Sequence, residues 1–61
     1  MPYVRVEMLA GRSEDQKAAM AKAITDALVD HGSAKPDTVF VVFEDVRKED
    51  WAVGGTLMSR R

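Results

Sequence analysis

The sequence predicts an α/β fold made of a single β-α-β unit with parallel strands and a short C-terminal hairpin or arm. Three segments support this prediction: an alternating segment, a segment rich in strong helix formers, and a continuous β-branched and aromatic run. A strand, a helix and a second strand in this order form a right-handed crossover, because parallel partners need a connection of this length. Residues 1–61 are too few for a second core, so one domain is expected.

The first strand is predicted over Pro2–Leu9. Val4, Val6 and Met8 alternate there with polar, charged or aromatic residues, which is the period of a half-buried strand. The Ala10–Arg12 segment breaks the alternation and ends the strand.

A helix is predicted from Ser13 to about His31. Ser13 and Gln16 have the spacing of a capping box, and two acidic residues in the first turn suit the helix dipole. Gly32 occupies the position where a left-handed residue is expected to end the helix. The predicted apolar stripe consists of Met20, Ala23, Ile24, Ala27, Leu28 and His31.

The second strand is predicted over the run Val39–Phe43, after a loop at Ser33–Asp37. The run is continuous rather than alternating, which indicates burial on both faces. Arg47–Asp50 is interpreted as a charged, solvated turn. Trp51–Met58, with two adjacent glycines, is predicted to form the hairpin or arm.

The composition predicts an assembly of several subunits. Hydrophobic residues make up 46% of the chain, which has no cysteine for a disulfide and no Cys/His cluster for a metal. A domain of this size buries only about 60% of its unfolded surface. One β-α-β unit also leaves both sheet edges and one sheet face open, and other subunits are expected to cover them.

Charge and hydropathy exclude several classes of partner. Nine basic and ten acidic residues are mixed along the chain, which argues against a nucleic-acid or membrane surface. No apolar run reaches membrane length and the charged, alternating start is unlike a signal peptide, so a cytoplasmic protein is expected.

Three residues are candidates for chemistry. Removal of Met1 would leave Pro2 as the amino terminus, a rigid secondary amine that can accept a proton and return it to another atom. An α-amino group titrates at about 7.7–8.0, and apolar walls and the charge of Arg12 would lower the pKa of a proline amine towards neutrality. Arg12 offers a planar fork of donors for a carboxylate, and Trp51 offers a flat wall that excludes water. The plainer alternatives are a Pro2 that is an ordinary second residue, a solvent-facing Arg12 and a Trp51 that anchors an interface.

The whole chain resembles the 4-oxalocrotonate tautomerase family. The resemblance rests on Met1-Pro2 at the start of a strand, Leu9–Ser13 with Gln16 and Lys17 behind it, Glu44-Asp45 after the second strand, and Trp51–Gly55. It implies a cofactor-free isomerase acting on a small enol or keto carboxylic acid of the 2-hydroxymuconate type. It also implies subunits that pair into a four-stranded dimer, with three dimers in a homohexamer. In that resemblance Pro2 is the catalytic base, Arg12 binds carboxylate, and Trp51 covers a site shared between neighbouring subunits.

One position departs from the family pattern. Family members that act on oxalocrotonate-type diacids carry a second arginine where this chain has Phe40. Arg5 and Arg47 are alternative sources of that cation. Without it, the sequence favours smaller enol or keto acids with one carboxylate, or a weak and promiscuous tautomerase. Related dehalogenases carry a water-activating carboxylate where this chain has Val53, which argues against hydrolytic dehalogenation. The other hypotheses are a non-catalytic oligomeric module that retains Met1, and one subunit of a hetero-oligomeric tautomerase or dehalogenase.

Overall fold

A computed structural model describes all 61 residues and has the β-α-β unit with parallel strands that the sequence predicts. The elements are β1 (Tyr3–Leu9), α1 (Glu14–Gly32), β2 (Phe40–Val46), β3 (Ala52–Val53) and β4 (Thr56–Leu57), with 3-10 helices at Pro36–Thr38, Lys48–Asp50 and Met58–Arg60. β1 and β2 pair in register from Tyr3 and Phe40 at one end to Leu9 and Val46 at the other. The predicted hairpin is confirmed as β3 and β4, which pair antiparallel.

The second strand is longer than the sequence predicted. Glu44 and Asp45, expected after the strand, lie within β2 because it pairs with β1 over seven residues. Both carboxylates form ion pairs with cationic side chains. Lys17 Nζ lies 2.7 Å from Asp45 Oδ2, and Arg5 bonds Glu44.

The two faces of the sheet differ in exposure. On one face Val4, Val6 and Val41 are half-buried, whereas the other face, here called the open face, exposes 49% of Phe40 and 40% of Val42. The prediction that β2 is buried on both faces is therefore wrong for the single chain, because this chain has only one helix to cover the sheet.

The start of α1 is held by the predicted capping box. Ser13 Oγ accepts a hydrogen bond from the Gln16 backbone N–H at 3.1 Å, and Gln16 Oε1 accepts one from the Ser13 N–H at 2.9 Å. The end of the helix differs from the prediction by one residue. Gly32 is still helical, and Ser33 adopts the left-handed conformation at φ 57°.

The covered face of α1 is rotated relative to the predicted stripe. Ala23, Ala27 and His31 were predicted to lie in the stripe and are exposed. The half-buried positions are Lys17, Met20, Ala21, Ile24, Thr25, Leu28 and Val29. The larger side chains and the ion pair of Lys17 to β2 determine which face turns to the sheet, and the alanines, which carry little apolar area, do not.

Replacing Ser13 by alanine should destabilise the protein by about 1 kcal/mol, because one helix N–H loses its acceptor and the reciprocal Gln16 contact loses its partner. Urea unfolding at a fixed subunit concentration would measure the change, with Ser13→Thr as the control that keeps the hydroxyl. Equal stability of the alanine and threonine variants would contradict this role.

The single chain lacks a core of its own. None of its 61 residues is buried. Its accessible surface is 4701 Å², whereas a compact monomer of its 6.8 kDa mass exposes about 4,000 Å². Its radius of gyration is 14.5 Å, compared with about 10–11 Å for a compact domain of this length. The single chain is therefore more extended than a compact monomer of its length.

No helix of the chain combines the length and apolar character that crossing a lipid bilayer requires.

Candidate active site

Pro2 lies immediately before β1 and is fixed through its carbonyl. The Phe40 N–H donates to the Pro2 carbonyl oxygen at 2.9 Å, and Pro2 is half-buried. Met1 is 87% exposed, so the bond that joins it to Pro2 is open to a processing peptidase. Removal of Met1 would convert the Pro2 nitrogen from an amide into an amine held at the start of the strand.

Arg12 lies beyond the opposite end of β1. Gly11, at φ 132°, provides the turn that the strand end requires. The Arg12 Nη1 donates to the Leu9 carbonyl oxygen at 2.9 Å, and its side chain is exposed. It forms none of the ion pairs of this chain. Its remaining donors and its full charge are free for an anion.

Pro2 and Arg12 of the same chain are too far apart to bind one small substrate. The seven residues of β1 separate them, and a strand rises about 3.3 Å per residue, or about 23 Å in all. A small carboxylic acid cannot span that length. The structure therefore does not bring these two predicted site residues together within one chain.

Trp51 lies towards the Arg12 end of the sheet. It follows β2 by five residues, and part of that segment is a compact 3-10 helix over Lys48–Asp50, so it cannot return along the strand to Pro2. Trp51 is half-buried, and its carbonyl accepts a hydrogen bond from the Met58 N–H at 2.7 Å. This bond holds the two sides of the C-terminal arm together, with a two-residue turn at Gly54 and Gly55, both at positive φ.

The alternative cations, Arg5 and Arg47, are both committed to carboxylates. Arg5 Nε lies 2.9 Å from Glu7 Oε1, and its Nη2 bonds Glu44. The hydrogen bond with Glu44, followed by the charges of Glu44 and Glu7, raises the pKa of Arg5 above its ordinary value. Arg47 Nε lies 3.1 Å from Asp50 Oδ2, and this hydrogen bond is the main cause of its raised pKa. Both side chains are more than half exposed, so these ion pairs lie at the surface of the single chain.

The sequence analysis missed one feature next to Pro2, the pairing of Tyr3 with Phe40. The two residues face each other across the strands on the open face, where Tyr3 is 61% exposed. The pairing follows from the parallel register of β1 and β2, and predicting each strand separately does not give that register.

The single chain encloses no pocket, and no group of three or more His, Cys, Asp or Glu residues could hold a metal ion. Residues 2–61 match the family described as tautomerase enzyme. The chain belongs to the tautomerase family.

Similarity to other tautomerases covers nearly the whole chain. A probable tautomerase of Ralstonia nicotianae is 42% identical over 57 residues, which are 93% of this chain and 88% of that protein. The 2-hydroxymuconate tautomerase of Bacillus subtilis is 37% identical over 59 residues, 97% of this chain and 95% of that protein.

Solved tautomerase structures have the same fold. A 4-oxalocrotonate tautomerase isozyme of Methylibium petroleiphilum aligns with a TM-score of 0.91 at 32% identity, over 97% of this chain and 95% of that chain. A heterohexameric 4-oxalocrotonate tautomerase of Chloroflexus aurantiacus aligns with a TM-score of 0.90 at 34% identity, with the same coverage of both chains. The tautomerase fold of this chain, predicted from the resemblance, is confirmed.

Proposed function

We propose that this tautomerase interconverts the enol and keto forms of a small carboxylic acid, without a cofactor, and uses the Pro2 amine as base and acid. The observation that carries the proposal is the position of Pro2. It starts β1 behind an exposed Met1, and the Phe40 N–H fixes its carbonyl at 2.9 Å. The similarity to a 2-hydroxymuconate tautomerase supports the same class of substrate.

The proposed reaction needs one proton carrier. The neutral Pro2 nitrogen takes the proton of the enol hydroxyl as the carbon–oxygen bond becomes a carbonyl. The ammonium then gives a proton to the carbon of the former double bond, where a new C–H bond forms. Substrate and product are isomers, and the amine is neutral again at the end. General acid–base catalysis of this kind contributes about 10²- to 10⁴-fold in rate.

We further propose that each site is shared between subunits. The Pro2 of one subunit would meet the Arg12 of a neighbour, which supplies a charge-assisted hydrogen bond to the substrate carboxylate. The separation of these residues along β1 supports this arrangement. Trp51, near the Arg12 end, would form the apolar wall. A homohexamer of three four-stranded dimers provides such contacts and covers the open face.

A hetero-oligomer is the second candidate assembly. The heterohexamer of Chloroflexus aurantiacus and the phenylalanine at position 40 favour it, because a different chain would then supply the second cation. Protein expressed alone separates the two candidates, since an active homo-oligomer needs no second chain. Intact mass spectrometry of the same sample tests the non-catalytic alternative, in which Met1 is retained.

Replacing Arg12 by alanine should raise KM for enol acids by about 10- to 150-fold, the equivalent of a charge-assisted hydrogen bond of about 1.5–3 kcal/mol. The matching enol esters, which carry no charge, should lose much less. Steady-state kinetics on an acid and its ester would measure the difference. Lys22→Ala is the matched control, because Lys22 is an exposed helix cation paired only with Asp26. An equal loss for acid and ester would contradict carboxylate binding by Arg12.

A further inference from the structure

The turn that carries Arg12 is held at both of its ends. It joins the end of β1 to the start of α1. On the strand side, the Ala10 N–H donates to the Val46 carbonyl oxygen at 2.9 Å. On the helix side, the Ser13 carbonyl accepts the first hydrogen bond of the helix, from the Lys17 N–H at 3.0 Å. The position of Arg12 therefore depends on how the start of α1 is placed against the sheet.

One ion pair joins the start of α1 to the sheet. Lys17 Nζ lies 2.7 Å from Asp45 Oδ2, one residue before the end of β2. It is the only ion pair of the chain that links the helix to a strand. The Lys17 side chain is 27% exposed, whereas the cations of the other ion pairs are at least 52% exposed. Because water and salt screen a partly buried pair less than a surface pair, this pair holds its two elements more firmly than the others do.

We propose that Lys17 and Asp45 are positioning residues, whose ion pair sets the placement of Arg12 for the substrate carboxylate. This inference rests on the proposed function, because it takes Arg12 as the group that binds the carboxylate. Arg12 Nη1 donates to the Leu9 carbonyl oxygen at 2.9 Å, so its remaining donors point correctly only while the turn keeps its place at the end of β1. A planar fork matches a carboxylate in a narrow geometry, and a misplacement of about 1 Å can cost about 10²-fold in rate.

The test measures kcat and KM of processed protein with 2-hydroxymuconate and with its uncharged dimethyl ester. Lys17→Met keeps the aliphatic stem and removes the charge. It should raise KM for the acid by about 3- to 10-fold and change kcat by less than about twofold, because the ion pair takes no part in proton transfer. KM for the ester should change much less, since the ester makes no charged contact with Arg12.

Asp45→Ala removes the other partner of the ion pair and separates positioning from a direct effect of charge. If Lys17 acts by positioning, Asp45→Ala should raise KM for the acid as much as Lys17→Met does, and the double variant should lose no more than either single variant. If Lys17 attracted the substrate itself, freeing its ammonium would leave acid binding unchanged or tighter. Lys17→Arg keeps a cation that can bond Asp45 and should restore KM for the acid.

Lys22→Met is the matched control, because Lys22 forms an ion pair of similar length on the same helix, 2.8 Å to Asp26, that does not reach the sheet. It should leave both KM values unchanged. In an Arg12→Ala background, Lys17→Met should cause no further rise in KM, because no guanidinium remains to be misplaced. Sedimentation checks the assembly of each variant. Lys17→Met and Asp45→Ala break the same ion pair, so either one tests the proposal if the other fails to assemble.

The outcomes separate this inference from the proposed function. Four results would each overturn the positioning role: an unchanged KM for the acid in Lys17→Met, an equal rise for acid and ester, a further rise in the Arg12→Ala background, or unchanged or tighter acid binding in Asp45→Ala. Each of them leaves proton transfer by Pro2 standing. If Arg12→Ala itself does not raise KM for the acid, carboxylate binding by Arg12 fails, and this inference fails with it. Failure of processed wild-type protein to convert either compound would overturn the proposed function as well.

Discussion

Processed protein carrying Pro2→Ala is expected to lose about 10²- to 10⁴-fold in kcat/KM for an enol acid, the range that a positioned proton carrier contributes. The variant keeps an α-amine, but a primary amine on a freely rotating bond replaces the rigid secondary amine of the ring. Residual turnover should remain, since the new amine is still a base. Steady-state kinetics would measure the loss, on samples whose intact mass shows that Met1 is absent.

A chain that retains Met1 is the stronger control for the same prediction. Its Pro2 nitrogen is an amide, which cannot take up a proton, while all other side chains are unchanged. We expect no proline-dependent turnover from it. In processed wild-type protein, kcat/KM should rise with pH as the Pro2 amine loses its proton, because only the neutral amine accepts the enol proton. Full activity of the Met1-retaining chain, or of processed Pro2→Ala, would show that Pro2 is not the base.

Local signals predicted most of the fold. The reciprocal bonds of Ser13 and Gln16 depend on residues three apart, so the sequence alone determined where α1 begins. The alternation of β1 and the adjacent glycines of the arm are equally local. Each of these patterns depends only on residues close together in the sequence, and not on what packs against the element.

Features that depend on partners were predicted less well. The predicted covered face of α1 wrongly included Ala23 and Ala27 and left out Lys17. The ion pair of Lys17 with Asp45 joins the helix to β2. The end of β2 was missed for a related reason. From sequence alone, Glu44 was placed after the strand, because its ion pair with Arg5 on the neighbouring strand could not be predicted.

The candidate site shows the same division. The candidates Pro2, Arg12 and Trp51 came from residue chemistry and from the family resemblance, and their catalytic roles stay predictions. The aromatic partner of Phe40 did not come from either source, because the pairing of Tyr3 with Phe40 follows from the parallel register. The separation of Pro2 from Arg12, in contrast, follows from the length of β1 alone, and the strand predicted over Pro2–Leu9 already implied it.

The absence of a buried residue leads to a large expected effect on assembly. A chain whose core is incomplete should be folded only as a multimer, and its unfolding midpoint should rise with subunit concentration. Analytical ultracentrifugation and thermal unfolding over a range of concentrations would measure both. A compact monomer that unfolds cooperatively at every concentration would contradict this expectation.

Subunit mixing should restore activity if Pro2 and Arg12 of different chains meet in one site. Pro2→Ala and Arg12→Ala chains should each show low activity alone with a carboxylate substrate. Unfolded together in equal amounts and refolded, they should regain about a quarter of the wild-type sites, because random pairing joins the intact Pro2 of one chain to the intact Arg12 of the other. Mixing Pro2→Ala with a chain that carries both substitutions is the control and should restore nothing. A site built within a single chain cannot be rescued in this way. Since β1 places the two residues about 23 Å apart, absence of rescue in correctly assembled mixtures would mean that Arg12 does not act in the site of Pro2.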